Sequence, residues 1–236
     1  MTKPTKGRRA ARRATVADLH LKLNPINPLT DNQAKVLASE DSNQVLHGCA
    51  GTGKTFLSSY LAYKAQINGQ FGRVVYIRSA VSSRDIGFLP GTEAEKVAVY
   101  ELPYKEIANE LFDRGGTYDD MKKKGTVDFL TTSYVRGTTL NDSVVIVDEI
   151  QNMSFHELDT IITRYGKDCR YYFCGDFRQS DLKKHEQSGL KDFLEILRMM
   201  NKDFVFTDFT EEDIVRSDLV KRYIIARNKY ESSTEQ

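Results

Sequence analysis

The sequence predicts an α/β chain, an open three-layer α/β/α sandwich around a mainly parallel sheet. Three observations predict it. Short β-rich runs alternate with helical ones along most of the 236 residues. Val144-Val-Ile-Val147 is continuously apolar rather than alternating, as a strand covered on both faces is. Gly48-Cys-Ala-Gly-Thr-Gly53-Lys54-Thr55 stands between a β-rich run and a helical one, where a glycine-rich turn joins a strand to the helix behind it.

Taken in order, residues 1–28 read as a basic arm and lead-in, 29–230 as one domain, and 231–236 as a disordered tail. Lys3, Lys6, Arg8, Arg9, Arg12 and Arg13 put six positive charges in the arm, with no acid among the first 14 residues. The net charge of +1 therefore hides a body with 28 basic and 33 acidic residues, at −5. Such an arm suits a phosphate backbone, with a solvated tail as the alternative. Thr30 stands where it would cap a short helix over Asp31–Ser39. The strand candidates are Gln44–His47, Arg73–Ile77, Val127–Thr132, Val144–Val147, Arg170–Cys174 and Phe204–Thr207. The helical candidates are Lys54–Gln66, Glu93–Phe112 with an interruption near Pro103, Phe155–Arg164, Leu190–Met200 and Ser217–Lys229. Phe56, Leu57, Tyr60, Leu61 and Ala65 share one side of the helix after Lys54, the pattern of a packing face. Gly115–Gly125, with Lys122-Lys123-Lys124, reads as an exposed insertion.

Composition excludes several classes. No stretch approaches the ~18 consecutive apolar residues of a membrane span, and no apolar core follows the basic N-terminus as in a signal peptide. The expected location is the cytoplasm. Cys49, Cys169 and Cys174 form no C-x-x-C pair, and an odd number argues against a disulfide scaffold; buried thiols are expected. Histidines 20, 47, 156 and 185 have no metal-ligand spacing, so they are assigned no metal.

The chemistry concentrates at three strand ends. Gly48 to Thr55 matches the full G-x-x-x-x-G-K-[ST] pattern: backbone N–H groups of Gly48, Cys49, Ala50, Gly51, Thr52 and Gly53 are expected to cradle phosphate, Lys54 should reach the β and γ phosphates, and Thr55 should ligate Mg²⁺. Asp148-Glu149 closes the apolar strand; Asp148 would hold Mg²⁺ opposite Thr55, and Glu149 would polarise the attacking water. Tyr171-Tyr-Phe-Cys-Gly175-Asp176-Phe-Arg-Gln179 is a third strand ending in a polar turn. In a doubly wound sheet Asp176 and Gln179 share a rim with the phosphate loop, and Gln179 can touch both the γ phosphate and the water.

Asp148-Glu149-Ile150-Gln151 and Gly175-Asp176-x-x-Gln179 resemble the D-E-x-Q and G-D-x-x-Q motifs of superfamily 1 helicases. More closely, the chain resembles the PhoH-like phosphate-starvation ATPases. That likeness rests on Gly87-Phe-Leu-Pro-Gly91 with Glu95-Lys96 behind it, on Tyr134-Val-Arg136-Gly137-x-Thr139-Leu-Asn141-Asp142 running into the acidic strand, and on Gly175-Asp176-x-x-Gln179-x-Asp181-Leu182 with Ser188-Gly189-Leu190. It covers roughly residues 30–225. Departures are Ile150 for a common alanine, Arg178 for a common threonine, and Lys183-Lys184-His185 for the usual proline. The compact chain is similar to stand-alone phage members.

The resemblance implies a RecA-like P-loop core, ATP and Mg²⁺ as cofactors, ATP hydrolysis, RNA or single-stranded nucleic acid as a partner, and a ring-shaped homo-oligomer, with a hexamer favoured. An ATP-switched RNA-binding module is the alternative. Gln33 stands fifteen residues before Gly48, where helicase-like ATPases read the adenine edge. Arg78, ending a β-rich run, is expected to face nucleic acid or nucleotide, or simply solvent. Tyr134 and Arg136 suit base stacking and phosphate steering, unless Tyr134 only anchors its loop. Thr210 or Asp213 is expected to cap the last helix. A superfamily 1 helicase closes its ATP site with an arginine from a second RecA-like half, for which 236 residues leave no room. Arg216 is therefore the candidate finger toward a neighbour's γ phosphate, with Arg222 as rival and a salt bridge to Asp213 or Asp218 as the plainer role.

Overall fold

The computed structural model describes residues 19–79, 93–176 and 184–234. Six strands form one sheet: β1 (Asn43–Gly48), β2 (Arg73–Arg78), β3 (Val127–Thr131), β4 (Ser143–Asp148), β5 (Cys169–Gly175) and β6 (Phe204–Phe209). Their order is β3-β2-β4-β5-β1-β6, and every neighbouring pair is parallel. The helices are α1 (Asp31–Ala38), α2 (Lys54–Ile67), α3 (Glu93–Phe112), α4 (Thr117–Lys123), α5 (Thr132–Val135), α6 (Phe155–Ile162), α7 (Lys184–Met199) and α8 (Asp218–Thr234). This is the three-layer RecA-like arrangement.

The period of two along each strand divides the core. Leu46, Val74, Tyr76, Val144, Ile146, Tyr172 and Cys174 face a layer made by α2, α3 and α4. Val45, Val75, Ile77, Val145, Val147, Tyr171 and Phe173 face the other layer, made by α5, α6 and α7. All six residues of β4 are buried, the result expected of its unbroken apolar run. A smaller cluster of Cys49, Ile214 and Ile224 seats α8 against the end of the sheet. All three cysteines are buried, as expected.

Three expectations fail here. Gly115–Gly125 is no exposed insertion: it contains α4, whose Thr117, Tyr118 and Met121 are buried. The triple lysine hid an amphipathic turn whose apolar residues lie between the charges. Nor does Pro103 interrupt its helix, since α3 runs unbroken from Glu93 to Phe112. Pro103 is exposed, and so is Val99, whose carbonyl the proline deprives of its donor. Finally, α8 runs on to Thr234, into the stretch read as a disordered tail, because no glycine or proline stops it. Thr30 does cap α1, its hydroxyl accepting from the Gln33 N–H at 3.3 Å.

From β1 the chain crosses to β2 on one side, while β6 arrives on the other. The carboxyl end of β1 is therefore where strand order reverses and where α/β sheets bind ligands. Register puts Arg78 beside Asp148, His47 beside Gly175, and Gly48 beside Phe209 at that rim. Gly48 has φ +118°, and a Cβ there would lie 2.0 Å from the Phe209 carbonyl oxygen. Only glycine allows β1 and β6 to close at this point. Gly48→Ala should lower the stability of nucleotide-free protein by ~2 kcal/mol or more, a fall of roughly 4–8 °C in Tm. Gly69→Ala, at φ +74° with nothing within 4 Å, supplies the comparison in thermal melts: it carries the backbone strain without the clash and should cost about 1 kcal/mol.

Candidate nucleotide site

The turn from β1 into α2 begins the site. Gly53 adopts φ 86° and ψ 15°, a left-handed cap that directs α2 away from the loop. The loop's carbonyl oxygens are occupied from outside. Gly51 O accepts from the Val215 N–H at 3.0 Å, and Thr52 O from the Gln33 Nε2 at 3.0 Å. In a trans peptide the C=O and the next N–H point in opposite directions, so these two bonds turn the Thr52 and Gly53 N–H groups the other way. The Thr52 hydroxyl donates to Cys49 O at 3.0 Å. The Cys49 N–H departs from the expected cradle: it donates to Phe209 O at 3.1 Å, because the β1–β6 ladder reaches one residue into the loop. Lys54 Nζ lies across the turn, donating to Gly48 O at 2.7 Å and Cys49 O at 2.8 Å. Burial lowers the Lys54 pKa, against the pull of Asp176, Cys174, Glu149 and Asp148.

Opposite the loop stands the end of β4. Thr55 donates to Asp148 Oδ1 at 2.9 Å, the pair expected to hold Mg²⁺. The second oxygen, Oδ2, accepts from Tyr104 of α3 at 3.0 Å. Burial, with the Glu149 charge behind it, raises the Asp148 pKa to about 6, while Thr55, Arg78 and Tyr104 pull the other way. Arg78 lies over the Tyr100 ring, 5.6 Å from its centroid. Burial would lower the Arg78 pKa, but Tyr104, Asp148 and Glu149 raise it overall. It is therefore a fixed cation beside the two acids.

Glu149 adopts φ 55°, an unusual left-handed conformation for a residue with a Cβ. Its carboxylate accepts from Gln151 Nε2, and Gln151 Oε1 accepts from the Asp176 N–H at 3.0 Å. One amide thus ties the end of β4 to the end of β5. Farther along the rim, Glu157 gathers three segments. Its Oε1 accepts from Ser79 at 3.2 Å and Thr132 at 2.6 Å, and its Oε2 from the Ser154 N–H at 2.8 Å. Although burial pushes the Glu157 pKa up, these donors hold it below the ordinary value.

The pieces enclose a cavity of about 670 Å³, a size that suits a nucleotide. Ala50, Gly51, Thr52, Gly53, Lys54, Thr55, Asp148, Glu149, Gln151 and Asp176 all line it, as do Gln33, Arg78 and Arg216. Gln33 is buried, with both amide ends engaged: Oε1 accepts from the Leu29 N–H at 2.8 Å and Nε2 holds the loop. Arg216 lies against its own loop, its Cγ 2.9 Å from the position of a Cβ on Gly51. Arg222 is exposed on α8. Tyr134 is exposed, and Arg136 donates to His156 Nε2 at 2.7 Å. Gln179, Arg178, Asp181 and Gly87–Gly91 lie outside the described residues. Thr210 and Asp213 cap a short 3-10 turn, Glu211–Asp213, rather than the last helix, which begins at Asp218. The T-E-E-D text satisfies its own turn first, four residues before α8 starts.

Sequence reading missed Tyr104 and gave Gln151 no role. A tyrosine on the apolar side of a helix carries no local mark of its partner. Gln151, by contrast, stood inside the D-E-x-Q text, and its spacing from Glu149 was the available signal.

The family model described as "PhoH-like protein" matches residues 25–228. The chain belongs to the PhoH-like family. It is 32% identical to the PhoH-like protein of Mycobacterium tuberculosis strain H37Rv over 209 residues, covering 87% of this chain and 59% of that one. It is 34% identical to Protein PhoH of Escherichia coli K12 over 208 residues, covering 86% of this chain and 58% of that one. The chain thus spans about three-fifths of the length of these relatives. Among solved structures, the large terminase of a thermophilic bacteriophage in complex with ADP superposes with a TM-score of 0.51 at 13% identity, covering 83% of this chain and 49% of that one. That likeness establishes the P-loop fold. No helix among the described residues is long and apolar enough to cross a membrane.

For this PhoH-like chain the hard oxygen donors of Thr55 and Asp148 suit Mg²⁺. The raised Asp148 pKa has a consequence for stability. Its folded-state pKa lies above the unfolded value of 3.8. The stability it contributes is therefore full below pH 4 and is lost as pH rises through about 6. Between pH 5 and pH 8 the metal-free wild type should lose ~1.5 kcal/mol more stability than Asp148→Asn. Urea melts at the two pH values, in EDTA, measure this; equal pH dependence would mean that Asp148 ionises freely.

Proposed function

We propose that this chain is an Mg²⁺-dependent ATPase whose turnover is coupled to RNA or single-stranded nucleic acid in an assembly of several copies. The observation that carries the reading is the 2.9 Å Thr55–Asp148 hydrogen bond, with Glu149 and Lys54 lining the same cavity. The loop's inward N–H groups and the α2 N-terminus bind the phosphates. Lys54 exchanges its two carbonyl partners for phosphate oxygens. Mg²⁺ held by Thr55 and Asp148 would supply charge neutralisation on the phosphates. Glu149, held by Gln151, orients the attacking water, and the Arg78 cation stands beside the two acids. Phosphoryl transfer needs little more than positioning and charge.

Arg216 reaches the nucleotide of its own chain in this reading, since it lies on its own loop. The exposed Arg222 is then the candidate for a neighbouring copy's site. Gln179 senses the γ phosphate, following the resemblance of its motif. Nucleic acid runs along the carboxyl rim past the exposed Tyr134 and Arg136, and the arm at residues 3–13 adds sequence-independent phosphate contacts.

The test is ATP turnover with and without RNA and single-stranded DNA, alongside solution mass with and without nucleotide. Lys54→Ala should abolish turnover. Glu149→Gln should keep ATP bound and lower kcat by at least ~100-fold; wild-type-like turnover in that variant would remove Glu149 from the mechanism. ATP-dependent RNA affinity without stimulated turnover would replace the motor by a switch.

A further inference from the structure

Asp148 is held at both carboxylate oxygens. Thr55 takes Oδ1, while Tyr104 donates to Oδ2 at 3.0 Å. Tyr104 is fully buried. Its ring stacks on Tyr76 with centroids 4.2 Å apart and planes 24° apart, and it packs against Phe129 at 5.8 Å. A ring pinned on two sides gives its hydroxyl one position. The neighbouring phenol shows that the core can satisfy such a group without the site: the Tyr76 hydroxyl bonds Ser59 and Tyr63 at 3.0 Å each. Tyr104 alone of this stacked pair reaches the acid.

We propose that Tyr104 is a positioning residue for the divalent cation. By fixing Oδ2 it turns Oδ1 of Asp148 toward Thr55 and so sets how tightly the chain holds magnesium-bound nucleotide. The inference rests on the Mg²⁺–nucleotide reading above. A carboxylate has a soft torsion about its Cβ–Cγ bond. Released from the phenol, Asp148 would turn toward Arg78, its neighbour across the β2–β4 ladder. The Oδ1 lone pairs would then leave the direction that Thr55 shares. Partners behind a metal ligand commonly control affinity in this way.

The experiment compares Tyr104→Phe with Tyr76→Phe. Each removes one hydroxyl from the same stack and keeps the ring. Binding of a fluorescent ADP analogue is titrated across a Mg²⁺ series and again in EDTA. Wild-type protein whose binding ignores Mg²⁺ would sink the Mg²⁺–nucleotide reading itself, before Tyr104 is considered. Given Mg²⁺-dependent wild type, Tyr104→Phe should raise the half-saturating Mg²⁺ concentration about tenfold and leave EDTA affinity unchanged, while Tyr76→Phe changes neither. Three outcomes would overturn the proposal: wild-type Mg²⁺ dependence in Tyr104→Phe, the same shift in Tyr76→Phe, or an equal loss of binding in both arms. The last would mark a role in packing alone.

Discussion

The site depends on how the carbonyl oxygens of one loop are satisfied. A phosphate cradle needs several N–H groups converging on one point, and each N–H is fixed by the carbonyl on the other side of its peptide plane. Gly51 and Thr52 give their oxygens to Val215 and Gln33. Gly48 and Cys49 give theirs to Lys54. The Cys49 N–H is tied outward to Phe209. These partners come from α1, the start of α2, the end of β6 and the segment leading to α8. Much of the chain outside the central strands therefore serves to hold one turn in shape.

The acidic side of the site follows a similar logic with charges in place of dipoles. Two adjacent carboxylates, one fully buried, cost free energy unless donors and a cation accompany them. Thr55, Tyr104 and Arg78 accompany Asp148, and Gln151 accompanies Glu149. The left-handed Glu149 shows that the backbone also yields to this arrangement. Because Gln151 bonds both Glu149 and the Asp176 N–H, one side chain ties the end of β4 to the end of β5.

The fold was legible because it is repetitive. Strand runs such as Val144–Val147 announce their burial by composition, and all six strands fall within two residues of their expected bounds. The phosphate loop and Asp148-Glu149 were legible because their chemistry forces particular residue types at fixed spacing. The failures share a different cause. Pro103 and the lysines near α4 carry strong local signals that tertiary packing overrides. Tyr104 meets Asp148 across 44 residues, and a contact of that range leaves no trace in local pattern. Gln33 was noticed by position, but its second partner, the Leu29 N–H, emerges only from the folded lead-in.

The bond from Val215 to Gly51 has a bearing on the order in which the molecule is made. Synthesis delivers the glycine turn early and its outer clamp late, after all six strands have been produced. Until then the turn lacks the Val215 donor and the Arg216 side chain that covers Gly51. Nucleotide capture is thus tied to the docking of a segment made after all six strands. By mass action, a nucleotide that prefers the clamped turn also favours the docked C-terminal segment. The ligand becomes a check on whether the segment after β6 has been made and seated.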